Sequence, residues 1–411
     1  MDKTILHCDL NNFYASVECM KNPQLKEKCV AVSGNPEERH GIILAKNENA
    51  KRYGIKTGDV IWQALQKCPQ LILLPPHFHE YLYLSKLVKD IYKQYSDRVE
   101  SFGLDEAWID VSESIALFGS GEEIAHEIKT KVNEQYGLTV SIGVSFNKIY
   151  AKLGSDYKKP DAVTVFSREN YRDKVFPLLV ENLLFVGRST KRKLNEIGIF
   201  TIGDLANVSE HILVNRLGKM GSIIHGFAKG EDQSEVLLFD HSTKLKSVGN
   251  GITCKRDLYT IEDAKIVIYV LADSVATRLR RYHKMATCVR VHFRNSELVT
   301  FSRQVQLHHG TNLCEDIAQA AISLTENHYN FDIALRSISL TAANLYEEAQ
   351  YHQLSFFYNY DKVASIERTM DKIRKKFGYR SINRTLLFMD KDLSSFSPLE
   401  DHLIFPQNYF K

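Results

Sequence analysis

The chain has 411 residues, 44% of them hydrophobic, and a formal net charge of only +3, so it is long enough for two to four domains of roughly 100–200 residues each, and its bulk charge names no polyanionic partner. Seven cysteines (Cys8, Cys19, Cys29, Cys68, Cys254, Cys288, Cys314) lie scattered without a CxxC or a Cys/His set at zinc spacing, which argues against a disulfide framework or a zinc module and for reduced thiols in cytosol. No stretch approaches the ~18 apolar residues of a membrane span and the N-terminus is not a signal peptide, so a soluble cytoplasmic protein is expected.

Ile5 to Leu10 is a strand-length apolar run that ends in an acid, and Phe13 to Glu18 follows with helical spacing, which places Asp9 where a strand hands over to a helix. Val30–Ser33 and Gly41–Ala45 read as short strands, and Asn47–Tyr53 and Val60–Lys67 as short helices broken by Gly54 and Gly58. After Pro75-Pro76 a helical pattern runs from Tyr81 to Tyr95. Val99 to Phe102, a Gly103-Leu104 turn and Ala107 to Val111 then form a hairpin with Asp105 and Glu106 at its tip. A helix over Ile124–Tyr136, a strand over Thr139–Val144, a helix over Asn147–Asp156 and a strand over Ala162–Phe166 complete a βαβ-rich α+β unit. Residues 177–230 read as all helical, 231–243 as a connector, and 244–346 as a second small α+β unit with a helix over Ile261–Tyr282 and strands over Thr287–Phe293 and Leu335–Ala342.

Asp9, Asp105 and Glu106 therefore share one face. Adjacent acids at a turn ordinarily do no more than solvate it, but three carboxylates from distant sequence are what hard divalent cations need for phosphoryl transfer, where two ions about 4 Å apart neutralise a triphosphate and activate the attacking hydroxyl. The backbone carbonyl of Leu10 offers one further ligand.

Two segments turn this chemistry into a family resemblance. Glu100-Ser101-Phe102-Gly103-Leu104-Asp105-Glu106-Ala107-Trp108-Ile109-Asp110-Val111-Ser112 resembles the S-x-D-E-A signature of Y-family translesion DNA polymerases, and Asp9-Leu10-Asn11-Asn12-Phe13-Tyr14-Ala15-Ser16-Val17-Glu18 resembles their first motif, closest to the bacterial UmuC/DinB branch. The resemblance implies a multidomain α+β right hand: a ferredoxin-like palm (1–17 and 76–168), small fingers (18–75), a helical thumb (169–230), a linker (231–243), an α+β little finger (244–346) and a tail (347–411). It implies a low-fidelity, template-directed polymerase without a proofreading exonuclease, with Asp9, Asp105 and Glu106 holding two Mg²⁺ ions, for which Mn²⁺ substitutes. Asn11, where DinB-type members carry Asp, is a UmuC-type feature.

Further residues are implied in the same way. Tyr14 matches the steric gate that rejects ribonucleotides, and Phe13 beside it is read as core at the same substrate site. In the fingers motif, Ala45 to Gly58, Glu48 stands where a Tyr and Lys51 where an Arg meet the triphosphate, and Arg52 shares the role of Lys51; Lys keeps the charge but loses the bidentate fork. Ser155-Asp156-Tyr157-Lys158-Lys159-Pro160-Asp161 resembles the family's S-D-x-x-K-P sequence and assigns Lys159 to the triphosphate. Lys148 and Lys152, four apart, either steer phosphates or form a solvated face. Leu183 to Ile199 resembles a helix-hairpin-helix that offers amides near Gly187, with Arg188 and Lys191, to DNA phosphates; Phe185 replaces its first glycine, which puts the turn in doubt, and a solvated basic face is the alternative. Lys244 to Thr253 resembles the opening of the little finger, with Lys246 and Ser247 on DNA.

Gln353-Leu354-Ser355-Phe356-Phe357 resembles the peptide that bacterial polymerases insert into the β sliding clamp, Gln353, Leu354, Phe356 and Phe357 filling its groove. The charged helix 365–378 is left for partners such as a recombinase filament. Primer-template DNA and dNTP are the expected partners of a monomer. The competing readings are a noncatalytic polymerase-like scaffold, which intact acids oppose, and a nucleotidyl cyclase, which needs neither the DNA-binding motif nor the clamp peptide.

Overall fold

The computed structural model describes residues 3–35, 41–241, 244–348 and 360–396, and these form two compact units that divide at the 242–243 segment. The first opens with β1 (Ile5–Leu10), α1 (Phe13–Lys21), β2 (Val30–Ser33), β3 (Ile43–Lys46), α2 (Glu48–Arg52), α3 (Ile61–Lys67), β4 (Ile72–Leu74) and α4 (Phe78–Tyr92). It continues with β5 (Val99–Ser101), β6 (Glu106–Asp110), α5 (Ile115–Phe118), α6 (Gly121–Tyr136), β7 (Val140–Ser145), α7 (Lys148–Tyr157) and β8 (Val163–Phe166).

Five of these strands make one sheet in the order β5-β6-β1-β7-β8. β1 lies at its centre, antiparallel to β6 and β7. Because side chains alternate across a strand, Leu6, Cys8 and Leu10 enter the core shared with Tyr81, Val88, Ile91, Ile124 and Ile128 of α4 and α6. Ile5, His7 and Asp9 point the other way, towards α7, where Ile5 packs with Trp108 and Ala151. β6 repeats the alternation: Ala107 and Ile109 join the first core, while Trp108 stacks edge-on against His7 at 5.1 Å.

The expected hairpin is present, but Glu106 is not at its tip. It is the first residue of β6, in register with Asp9, and only Asp105 remains in the turn, its carbonyl accepting from the Leu10 amide at 3.0 Å. α7 begins where Asn147 accepts a bond from the Tyr150 amide, and it lies close on β7 because two glycines meet there. A Cβ on Gly143 would stand 1.9 Å from the Ala151 carbonyl oxygen and 2.4 Å from the Ser155 amide nitrogen, both backbone atoms that cannot step aside.

A second sheet, β3-β2-β4, carries α2 and α3. β4 was not legible in the sequence: it is three residues long, half-buried throughout, and so shows no alternation.

The helical region consists of α8 (Tyr171–Val175), α9 (Arg188–Asn195), α10 (Ile202–Asn207), α11 (Glu210–Leu217) and α12 (Lys219–Lys229). The doubt over its hairpin is resolved by Phe185, which takes the left-handed conformation itself at φ 69°, a cost that glycine avoids. Residues 231–241, read as a connector, are not free: Val236 is fully buried, the Leu237 amide donates to Glu100 at 3.0 Å, and the Phe239 amide donates to the Asp97 carbonyl at 3.0 Å.

The second unit has β9 (Ser247–Leu258), α13 (Ile261–Arg281), β10 (Lys284–Asn295), β11 (Thr300–Thr311), α14 (Cys314–His328) and β12 (Leu335–Glu347), with an antiparallel sheet in the order β11-β10-β12-β9. β11 escaped the sequence reading because its burial is too shallow to leave a clean period. Nor does the unit end at 346. α15 (Tyr360–Phe377) and α16 (Lys391–Ser394) belong to it, Leu387 and Leu393 entering its core. Part of the charge of α15 that was left for partners turns inward: Asp371 accepts from Arg280 at 2.7 Å, and Glu367, also an acceptor for Arg280, is 4% exposed, while Arg368, Lys372, Lys375 and Lys376 stay exposed.

Gly143→Ala is expected to lower the thermal midpoint of the first unit by about 5–10 °C, from roughly 3 kcal/mol of overpacking; differential scanning calorimetry checks it.

Candidate active site

Asp9 at the end of β1 and Glu106 at the start of β6 project together over α7, and α7 answers them with lysine. Lys152 Nζ stands 3.2 Å from Asp9 and 3.1 Å from Glu106. Lys159 Nζ donates to Asp9 at 2.6 Å and pairs with Asp156 at 2.7 Å. Lys148 does not join them: its ammonium pairs with Glu100 at 2.7 Å and covers the Trp108 ring. The solvated-face reading of the Lys148/Lys152 pair does not hold, since both side chains are largely buried in ion pairs.

The electrostatics follow from this packing. Burial, only partly offset by Lys152 and Lys159, pushes the Asp9 carboxyl up to about 7. Burial also opposes the charge on Glu106, but its bond with His7 and the Lys152 ammonium outweigh that and hold it below the usual carboxylate range. The Asp105 carboxyl is raised by burial and by the neighbouring Glu106. It sits in the turn just before β6, where its charge is felt by Tyr14, Tyr92 and Lys89.

His7 is fully buried behind Glu106, and burial first of all lowers it to about 4. The Ser155 hydroxyl donates to the Lys152 carbonyl at 2.8 Å and its oxygen lies 2.8 Å from His7 Nδ1. Under the turn, buried Lys89 donates to the Gly103 carbonyl at 2.6 Å, and burial brings its ammonium down to about 7.

Asp9, Asp105 and Glu106 line one cavity of about 330 Å³ with Leu10, Asn12, Phe13, Tyr14, Lys46, Thr57 and Lys159. Phe13 is 2% exposed and belongs to the core as well as to this wall. Tyr14 stacks on Tyr81, ring centres 4.4 Å apart and planes 9° from parallel, and the Tyr81 hydroxyl donates to buried Glu18. Lys51 and Arg52 do not line the cavity: both are exposed in the last turn of α2, and Lys51 lies 3.4 Å from Glu48.

Among the described residues no three Asp, Glu, His or Cys side chains are gathered closely enough to close on one metal ion. The donor set nevertheless suits hard divalent cations, being all carboxylate and already drawing in positive charge. Lys152, His7, Lys89, Lys46 and Thr57 were not assigned to the site in the sequence. The signal for two of them is spacing: His7 shares the face of Asp9 two residues on, and Lys152 lies one turn before Asp156.

Away from this cavity, Gly187 caps α9 with an extended backbone, and Arg188, Lys191 and Arg192 line a second hollow of about 470 Å³. Lys191 also pairs with Glu181. In the other unit Lys246 and Ser247 are exposed at the start of β9. Gln353, Leu354, Phe356 and Phe357 lie outside the described residues.

Residues 8–156 match the impB/mucB/samB family, residues 245–356 that family's C-terminal domain, and residues 182–232 the DNA polymerase-iota thumb domain. A DNA polymerase IV from Acetivibrio thermocellus is 46% identical over 397 residues, covering 96% of this chain and 100% of that protein; one from Clostridium kluyveri is 36% identical over 389 residues, covering 92% and 96%. The chain belongs to the Y family of DNA polymerases. It is a translesion DNA-directed DNA polymerase, on the DinB-type side of the resemblance, and the family is metal-dependent.

A Y-family polymerase chimera of Dbh and Dpo4 shares the fold, with a TM-score of 0.73 at 24% identity over 83% of this chain and 98% of that one. The right-hand architecture expected from the sequence is thus the fold of the polymerase, the five-stranded sheet being the palm and the second unit the little finger. No helix among the described residues is long and apolar enough to cross a membrane.

Asp105→Asn is expected to raise the thermal midpoint in EDTA by about 2–4 °C, on the order of 1 kcal/mol, because it removes a charge that burial disfavours. Scanning fluorimetry reads it directly.

Proposed function

We propose that Asp9, Asp105 and Glu106 hold two Mg²⁺ ions, with Mn²⁺ able to substitute, and that Tyr14 and Lys159 receive the sugar and triphosphate of the incoming dNTP. The convergence of all five on one cavity carries this reading. When bound, such ions neutralise the triphosphate and the departing pyrophosphate and acidify the primer 3′-hydroxyl.

The chain's own residues do the rest. Lys152 and Lys159 hold the carboxylate charge in check until cations replace them, and Lys159 is then free to turn to phosphate, as a point charge with three donors. Tyr14 bars a 2′-hydroxyl by bulk. Its stacking on Tyr81, which is anchored to Glu18, keeps it from moving aside. The Leu10 carbonyl lies beside Asp9 as a further ligand.

Primer-template phosphates meet the amides after Gly187, with Arg188 and Lys191. In the little finger Lys246 and Ser247 serve the same end, together with the exposed faces of Arg290 and Arg294 on β10. Gln353, Leu354, Phe356 and Phe357 insert into the bacterial β sliding clamp. A recombinase filament would meet α15 through its exposed Arg368, Lys372, Lys375 and Lys376, since Glu367 and Asp371 are engaged by Arg280.

Primer extension on undamaged and abasic templates tests the metal-site reading. Asp105→Ala/Glu106→Ala is expected to lose at least about 10³-fold in rate, and an active double variant would sink the reading. In the same assay Tyr14→Ala is expected to raise ribonucleotide insertion relative to deoxynucleotide by about 100-fold; an unchanged ratio would remove Tyr14 from the gate.

A further inference from the structure

We propose that Lys46 and Thr57 are the residues of the fingers that bind the triphosphate in this polymerase, in place of positions 48 and 51; this rests on the polymerase reading above. The end of β3 and the loop after α2 bring the two together. The Lys46 ammonium donates to the Thr57 hydroxyl oxygen at 3.1 Å, which leaves the hydroxyl hydrogen and two ammonium N–H groups as donors. Both residues line the cavity of Asp9, Tyr14 and Lys159, whereas Lys51 and Arg52 do not.

The pair is held in a fixed frame. The Gly58 amide donates to the Ile43 carbonyl at 2.8 Å, and the Ile43 amide donates to the Asp59 carbonyl at 2.9 Å, so the loop is stitched to β3 on either side of Gly58. Gly58 has φ 87°, a conformation that favours glycine.

The charges also call for an anion. Burial first, and then Lys51, lower the Lys46 ammonium below its ordinary value, and Glu48 and Asp59 offset this only in part. The acids nearest in sequence are engaged elsewhere: Asp59 with Lys67 at 2.6 Å, and Glu48 with Asn12 at 2.9 Å. Among the described residues no carboxylate stands within ion-pair distance of Lys46. A polyphosphate entering beside Lys159 supplies what is missing and relieves the repulsion between the two lysines.

Two measurements on the full chain decide the matter. In single-nucleotide insertion, Lys46→Ala is expected to raise KM for dNTP about tenfold with kcat within about threefold, Lys46→Arg to restore KM, Thr57→Val to raise it about threefold, and Lys51→Ala to leave it within about twofold. Titration calorimetry with inorganic tripolyphosphate, without DNA or turnover, is expected to show about tenfold weaker binding by Lys46→Ala. Lys46→Met serves in both assays if the alanine variant fails to fold. An unchanged KM and unchanged tripolyphosphate affinity for the Lys46 variants, or a larger effect of Lys51→Ala, overturns the proposal. A wild-type chain that binds tripolyphosphate through Lys46 but extends no primer would leave the subsite standing and sink the polymerase reading instead.

Discussion

Carboxylates brought into one partly buried cavity repel each other and lose water, and the fold tolerates them only because lysine arrives with them. Lys152 bridges Asp9 and Glu106, and Lys159 reaches Asp9. That contact depends on how closely α7 lies on the sheet, which depends in turn on glycine at 143 and 154. The same lysines that make the site foldable hold the places that cations would take. On the proposed metal-site reading, folding and catalysis use one set of negative charges with two alternative sets of positive ones.

The palm was largely legible because it is written in alternation. The apolar run from Ile5 to Leu10 broken by Asp9, and the signature around Asp105 and Glu106, located two strands and the three acids. What could not be read was which acid lies in a strand and which in the turn. Pairing register puts Glu106 opposite Asp9 and leaves Asp105 in the turn before β6, a result that depends on hydrogen bonding between segments nearly a hundred residues apart. Lys152 was visible as a helix lysine but not as a bridge, since its partners come from β1 and β6.

Short or shallow elements were lost for a related reason. β4 is too brief and β11 too exposed to leave a period. In the fingers, motif alignment puts weight on position 51, whereas the residues that line the cavity come from the end of β3 and from the turn before Gly58. Phe185 shows the opposite case: the sequence breaks the hairpin rule, and the backbone keeps the hairpin shape regardless.

The way α15 is attached bears on where this polypeptide can be cut. Its acids neutralise Arg280, whose side chain is 6% exposed, and its Arg374 reaches Asp273, 7% exposed, at 2.5 Å. A chain stopped at residue 359 would strand an arginine and an aspartate inside the second unit, a loss of roughly 3–5 kcal/mol for each broken pair. In this chain, shortening without loss of the second unit's interior pairs therefore has to begin beyond α16, whose Leu393 lies in that unit's core.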